Sequence, residues 1–392
     1  MGGAGNRGEG KRLGRPSDNS TILKSPGRRQ VSPIIRVQDF VTPHSLPRIP
    51  GRPPWPAADP ANNPRRLDFG HQGMRSSAAV PPENEGGPTL ERPIHMLSAS
   101  LRQSYSWKLR RMMMDLGSTC PNRDGTSGFG GCMYCDLSGS GTGAMKIGLD
   151  LESQFALELR RVRRTVPDGP CGILYFQSYS NTWPDLEPLA QALEWAASKS
   201  DVAPILAVGT RPDCFSPAAA DLLASHRERF REVWVEFGLE TADDEVQKII
   251  GRHDTLANFH RACQMAGERG LKRVAHTIAG LPGEKEGGFL RQAEEVAKAG
   301  CEGIKCHQLM VLERTKLAKL WRDGGVRLLA PEAYAGMVAE ALTILPWSTV
   351  VHRLTADARP EARADGQDRE WNRIAEREIL NAIRAFGEAS RI

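Results

Sequence analysis

The sequence predicts an α/β protein built as a partial (βα)6 TIM-like barrel behind a disordered N-terminal extension. Three observations carry that expectation. From about residue 97 onward, short apolar runs alternate with amphipathic stretches, the order of repeated βα units around a parallel sheet. Three cysteines, Cys120, Cys132 and Cys135, stand close together in CPNRDGTSGFGGCMYC, just after the first apolar run. Residues 1–96 hold 15 of the 27 prolines and 12 of the 39 glycines with no sustained helical or strand period. Such a segment buries too little apolar surface to offset its ordering entropy.

The strand runs are LRRMMMDL (109–116), GILYF (172–176), PILAV (204–208), EVWVEFG (232–238), RVAHTIA (273–279) and GIKCHQLM (303–310). Helical patterns lie between them at 151–164, 186–198, 216–230, 243–250, 257–268 and 288–299. Six such units are two short of the eight that close a TIM barrel. A helix at 331–344 and an extended segment at 348–354 complete a core spanning 97–357, and a charged helical tail follows at 358–392. Met96 is a candidate for an alternative start of translation.

Of 392 residues, 40% are hydrophobic and 25% charged, enough for most of the chain to bury a core. No apolar run reaches the roughly 18 residues of a transmembrane helix. The first twenty residues lack the apolar stretch of a secretory signal, so a cytoplasmic protein is expected. The net charge of +5 is unevenly divided. Residues 1–96 contain 14 of the 52 Lys+Arg and 8 of the 47 Asp+Glu, a balance of +6, which leaves −1 for the rest. The overall charge is therefore no argument for nucleic-acid binding by the core. Eight cysteines are too sparse for a disulfide framework, and a reducing compartment keeps the clustered three free for metal.

Three thiolates on one [4Fe–4S] cluster leave one iron without a protein ligand. The alternative is zinc, with His253, His276 or His307 as the fourth ligand. The loop follows a strand, where parallel barrels carry their active sites. Gly125, Gly128, Gly130 and Gly131 let its backbone wrap closely, and Tyr134 supplies an aromatic wall. Further candidates sit at later strand ends. Thr210, Arg211 and Asp213 occupy the GTRPD turn. Glu236 and Glu240 flank the end of the fourth strand, where an interior carboxylate requires hydrogen-bonding partners. His276 and His307, with Lys305, lie on the fifth and sixth strands, and alternation turns Cys306 away from them. His352 and Arg353 cap the barrel or touch substrate.

The string CPNRDGT–x–G–x–GGC–x–YC resembles the cluster loop of radical SAM enzymes, in particular the YhcC/YtqA-type family, which is related to the radical SAM domain of the Elongator catalytic subunit. The segments YFQSYSNT (175–182), VGTRPDC (208–214), EFGLETA (236–242), GLPGE (280–284), GIKCHQL (303–309) and VVHRLTAD (350–357) resemble the same family in the same order. The resemblance implies a barrel of the radical SAM type and a [4Fe–4S] cluster on Cys120, Cys132 and Cys135. S-adenosyl-L-methionine (SAM) would chelate the fourth iron and be cleaved reductively to a 5′-deoxyadenosyl radical. An external electron donor of flavodoxin or ferredoxin type is implied as a partner. Gln177 and Ser178 take the position where the family holds the methionine amino group. Thr210, Arg211 and Glu236 are further cofactor candidates, and Glu236 and His307 are the catalytic candidates. Glu240 stands where relatives commonly carry Gln, and Arg252 lies in a turn, IIGRHD (249–254), that departs from the family pattern. Kinship with Elongator makes tRNA, modified at the wobble uridine, the leading substrate. A small-molecule substrate is the alternative, and a non-catalytic zinc- or RNA-binding protein is the reading from another class.

Overall fold

The computed structural model describes residues 93–139 and 141–389, and residues 1–92 of the expected extension lie outside them. Residues 93–96 belong to the fold. Ile94 is buried, His95 stacks on Trp347 at 5.4 Å, and Met96 bridges to Val351.

The elements run α1 (Leu97–Tyr105), β1 (Arg110–Met114), α2 (Leu151–Arg163), β2 (Gly172–Phe176), α3 (Glu187–Ala197), β3 (Ile205–Thr210), α4 (Pro217–Ser225), β4 (Glu232–Glu240), α5 (Asp244–Ile249) and α6 (Leu256–Glu268). They continue with β5 (Lys272–Ala279), α7 (Gly288–Lys298), β6 (Gly303–Gln308), α8 (Lys316–Arg322), α9 (Pro331–Ile344), β7 (Val350–Arg353) and α10 (Arg369–Ala389). The strands form one sheet in the order β1 to β7, and every neighbouring pair is parallel. The six expected strands are present, and the extended segment at 348–354 contributes the seventh. The helix expected over 216–230 ends at Ser225, and a single 3₁₀ turn, Arg227–Arg229, leads into β4.

Alternation along each strand sorts the side chains into two layers. Met112, Met114, Leu174, Phe176, Leu206, Val208, Val235 and Phe237 face outward into the core beneath the helices, with Phe155, Leu193, Leu223, Phe259 and Phe289. Ile173, Tyr175, Ile205, Ala207, Trp234 and Val274 face the concave interior, where Leu101 of α1 plugs the end at which the strands begin. Asp150, Ser216, Thr255 and Thr315 cap their helices through side-chain oxygens. The sheet is curled. Arg111 of β1 lies 2.8 Å from Glu236 of β4 and 3.0 Å from His352 of β7, whereas in a flat sheet β1 and β4 stand about 14 Å apart. On the outside, α10 packs on α9, with Ala375 and Ile379 buried, and Tyr334 donates to the Leu354 carbonyl at 2.6 Å.

The turn after β5 places Glu284 against Gly280 N–H at 2.6 Å and Gln292 Nε2 at 2.8 Å. Burial pushes its carboxyl up to about 7 despite those donors. The folded value lies above that of the unfolded chain, so proton uptake stabilises the fold at low pH, and the contribution is lost as pH rises from about 5 through 7. Denaturant titrations at pH 5 and pH 8 should show the wild type losing on the order of 2 kcal/mol more than Glu284→Gln across that window. Equal losses would contradict the assignment.

Candidate functional site

The segment between β1 and α2 crosses the end of the half-barrel where the strands finish. Its base is fixed by Asp115 and Gln154: Asp115 N–H donates to Gln154 Oε1 at 2.8 Å, and Gln154 Nε2 returns a bond to the Asp115 carbonyl at 3.0 Å. Asn122 anchors the cysteine loop itself. Its buried Nδ2 reaches the carbonyls of Gly251 at 2.9 Å and Arg252 at 2.7 Å, and lies 3.4 Å from Cys132 Sγ. Met133 N–H donates to the Ile250 carbonyl, and Leu317 N–H to the Met133 carbonyl, each at 2.9 Å. The loop thus rests on the α5–α6 turn and on α8.

The three thiols are close enough to influence one another. Burial raises Cys120 and pushes Cys135 up to about 12, and in both cases Cys132 adds to the rise. As free thiols Cys120 and Cys135 hold their protons, and a metal is what displaces them. Among the described residues, no three His, Cys, Asp or Glu groups converge on a single ion position. A tetrahedral zinc with thiolates at about 2.3 Å needs such convergence, whereas a cluster takes its thiolates on separate irons. Of the three histidines weighed as a fourth zinc ligand, only His253 lies by the loop, against Gly128. His276 and His307 belong to the barrel interior. The donor set fits an iron–sulfur cluster.

The loop after β2 carries Gln177 and Ser178. Ser178 is fully buried, and its Oγ has no hydrogen-bond partner among the described residues. The glycine-rich run after Cys135 lies directly on this loop. A Cβ on Gly141 would stand 1.9 Å from Ser178 Oγ, and one on Gly139 would stand 2.3 Å from the Tyr179 ring. Only residues without side chains permit that approach. Tyr179, Glu240 and His253 all hold positive φ, at 56°, 63° and 54°, which concentrates backbone strain around the mouth.

Thr210 and Arg211 lie beside this loop, but their polar groups are engaged by protein. Thr210 Oγ1 meets Ser180 Oγ at 2.8 Å and Thr182 Oγ1 at 2.6 Å, and Thr182 donates to the Cys214 carbonyl at 2.8 Å. Arg211 pairs with Asp213 at 2.6 Å and reaches the Arg252 carbonyl at 3.0 Å. Arg252, for which the sequence suggested no firm role, is buried between the Gly238 carbonyl, Tyr134 Oη at 3.3 Å and Glu240 at 3.6 Å. These residues therefore knit the β2, β3 and β4 ends to the cysteine loop.

Glu236 lies in the interior with no exposed side-chain surface. It accepts from Arg111 at 2.8 Å, from His276 Nε2 at 2.9 Å and from Lys305. Burial alone would push Glu236 up, but Arg111, then Lys305 and His276, hold it well below the usual carboxylate range. Burial and the Arg111 charge push Lys305 well below an ordinary lysine. Burial, then Lys305, takes His276 down to about 4, so at neutral pH its Nε2–H donates to the carboxylate. His307 packs edge-on against His276 at 5.5 Å, and Cys306 is buried in the outer layer. Glu236 and His307 thus meet in one interior cluster, while Gln177 and Ser178 stand with the cysteine loop. Sequence reading missed Arg111 as a site residue. Alternation held the signal, because an arginine between outward-facing positions must point inward.

A curled half-barrel of parallel strands with a three-cysteine loop at the end of its first strand is the architecture of radical SAM proteins. Residues 118–296 match the Radical SAM superfamily, and residues 301–384 match the Radical_SAM C-terminal domain. Protein YhcC of Escherichia coli K12 is 33% identical over 270 residues, covering 69% of this chain and 85% of that protein. The chain belongs to the radical SAM superfamily, whose members are enzymes. The tRNA uridine(34) acetyltransferase of Dehalococcoides mccartyi is 27% identical over 176 residues, covering 43% of this chain and 38% of that protein. The structure of Elp3 from the archaeon Methanocaldococcus infernus, lacking its N-terminal residues 1–46, shares the fold with a TM-score of 0.54 at 17% identity, covering 61% of each chain.

Glu236→Gln leaves Arg111 and Lys305 without their counter-charge and should cost about 3–5 kcal/mol in denaturant unfolding. Adding Lys305→Met removes one of the two cations and should restore part of that loss. Additive losses in the double variant would show that the two groups do not act as a pair.

Proposed function

We propose that this chain is a radical SAM enzyme that modifies tRNA, with the wobble uridine as its target. The observation that carries the reading is the three-cysteine loop, anchored by Asn122 at the β1 end of a radical SAM half-barrel. Cys120, Cys132 and Cys135 would hold a [4Fe–4S] cluster, and the loop at Gln177 and Ser178 would hold the amino group of SAM. Together those groups would supply a reductive cleavage of SAM, with the electron coming from an external donor. The protein's part is placement and exclusion of water. Gly139 and Gly141 lie on the Ser178 loop, Arg211 holds the β3 end against the α5–α6 turn, and the neutral His276 stays aligned by Glu236. Similarity to a tRNA uridine(34) acetyltransferase supports the tRNA reading.

Anaerobically reconstituted protein should be brown, with about four irons and four sulfides per chain. With dithionite it should convert SAM to 5′-deoxyadenosine, and Cys132→Ala should abolish both properties. A colourless protein holding one zinc would overturn the reading. Mass spectrometry of tRNA nucleosides from a deletion strain should show the loss of a wobble-uridine modification. An unchanged profile would remove tRNA and leave a small-molecule substrate.

The electron donor is proposed to dock beside the cluster loop. Leu137 and Ile147 are 64% and 76% exposed there, next to Lys146, which holds the Leu137 carbonyl at 2.7 Å. An apolar patch beside a cation suits the acidic surface of a small flavodoxin or ferredoxin. Leu137→Ala with Ile147→Ala should slow flavodoxin-driven SAM cleavage about tenfold or more while the dithionite-driven rate holds. Equal slowing with both reductants would refute this docking face.

A further inference from the structure

In the interior of the half-barrel three basic side chains stand around the buried Glu236, and Asp357 lies near the third of them, Arg353. Glu236 lies within the field of Arg111, Lys305 and Arg353, and two of these three cations bond to it. Arg353, the last residue of β7 and the register partner of Lys305, is exposed. Its guanidinium makes no hydrogen bond or ion pair among the described residues, and Arg111 stands close enough to repel it. His307, inward-facing on β6, has the ring of His276 against it, and neither of its ring nitrogens has a hydrogen-bond partner among the described residues.

A guanidinium presents five donors in a fixed fork, which the paired oxygens of a phosphate or carboxylate match. Arg111 repels the exposed Arg353, and a bound anion offsets that repulsion. We propose that Arg353 and His307 form an anion subsite for the substrate, taking a phosphate or a carboxylate. Assigning the anion to a substrate rests on the radical SAM reading, whereas the site itself does not. If the substrate is tRNA, the anion is a backbone phosphate. If it is a small molecule, the anion is that molecule's own phosphate or carboxylate.

Binding tests the site without turnover. Anaerobically reconstituted chain is titrated at fixed ionic strength with a labelled anticodon stem-loop RNA, read by fluorescence anisotropy, and with inorganic phosphate and citrate, read by calorimetry. Arg353→Ala should weaken at least one probe tenfold or more, Arg353→Lys less, and His307→Gln severalfold. Iron content and melting temperature report whether each variant is folded. Loss confined to the stem-loop assigns the anion to RNA, and loss confined to phosphate or citrate assigns it to a small molecule. Unchanged affinities in all folded variants, or no binding of any probe by the wild type, would overturn the proposal. Competition between the probe and SAM would also overturn it, by placing Arg353 on the cofactor's carboxylate. If the wild type fails to cleave SAM yet Arg353→Ala still loses the anion, the functional reading falls and the subsite stands.

Discussion

Glu236 is a carboxylate with no solvent-exposed side-chain surface, and the curl of the sheet depends on how its charge is met. Taking such a group out of water costs several kcal/mol, and only close, well-aligned partners offset that cost. The partners come from β1, β5 and β6, and Arg111 extends the chain of contacts to His352 on β7. Strands that a flat sheet would hold far apart are thus brought to one point. The same group fixes register. A slip of one residue would exchange Glu236 with Val235 or Phe237 and place the charge in the apolar outer layer. The fold and its interior polarity are one arrangement.

At the mouth the same economy of partners holds the loops. The hydroxyls of Ser180, Thr182 and Thr210 satisfy one another across the ends of β2 and β3. The amide of Asn122 spends its hydrogens on the α5–α6 turn and on the Cys132 sulfur. Such contacts remove freedom from the cysteine loop before any metal arrives, so less ordering entropy remains to be lost on binding. Arg123 adds a cation to the same place, donating to the Cys135 carbonyl at 3.0 Å, and its charge offsets part of the rise that burial imposes on the Cys135 thiol.

Much of this was legible in the sequence, and the limits have physical causes. Apolar runs such as GILYF and PILAV announce buried parallel strands because both faces are covered. The short VVHR of β7 is partly polar, since His352 faces the interior, so it read only as an extended segment. The cysteine spacing was readable because its chemistry is local. Partnerships across the barrel were not. In LRRMMMDL the choice between Arg110 and Arg111 as the inward residue turns on a one-residue register. The hydroxyls that occupy Thr210 lie 28 and 30 residues away on another loop. A turn motif shows where a side chain sits, but not whether another strand has already claimed it.

Polar satisfaction falls along the barrel axis. At the closed end, Glu232 takes donors from Tyr105 and Trp234 at 2.5 Å each and pairs with Lys272 at 2.8 Å. One layer up, Glu236 is bonded from three strands. At the mouth the pattern breaks: Ser178 Oγ lacks a partner, and Arg353 and His307 have no hydrogen-bond partner among the described residues. Buried polar groups are ordinarily paired, so Ser178 Oγ points to where something else supplies the partner. Ser178 lies against the glycine-rich run that follows the three cysteines. The groups of the two lower layers, Glu232 and Glu236 with their partners, are consumed in holding the scaffold.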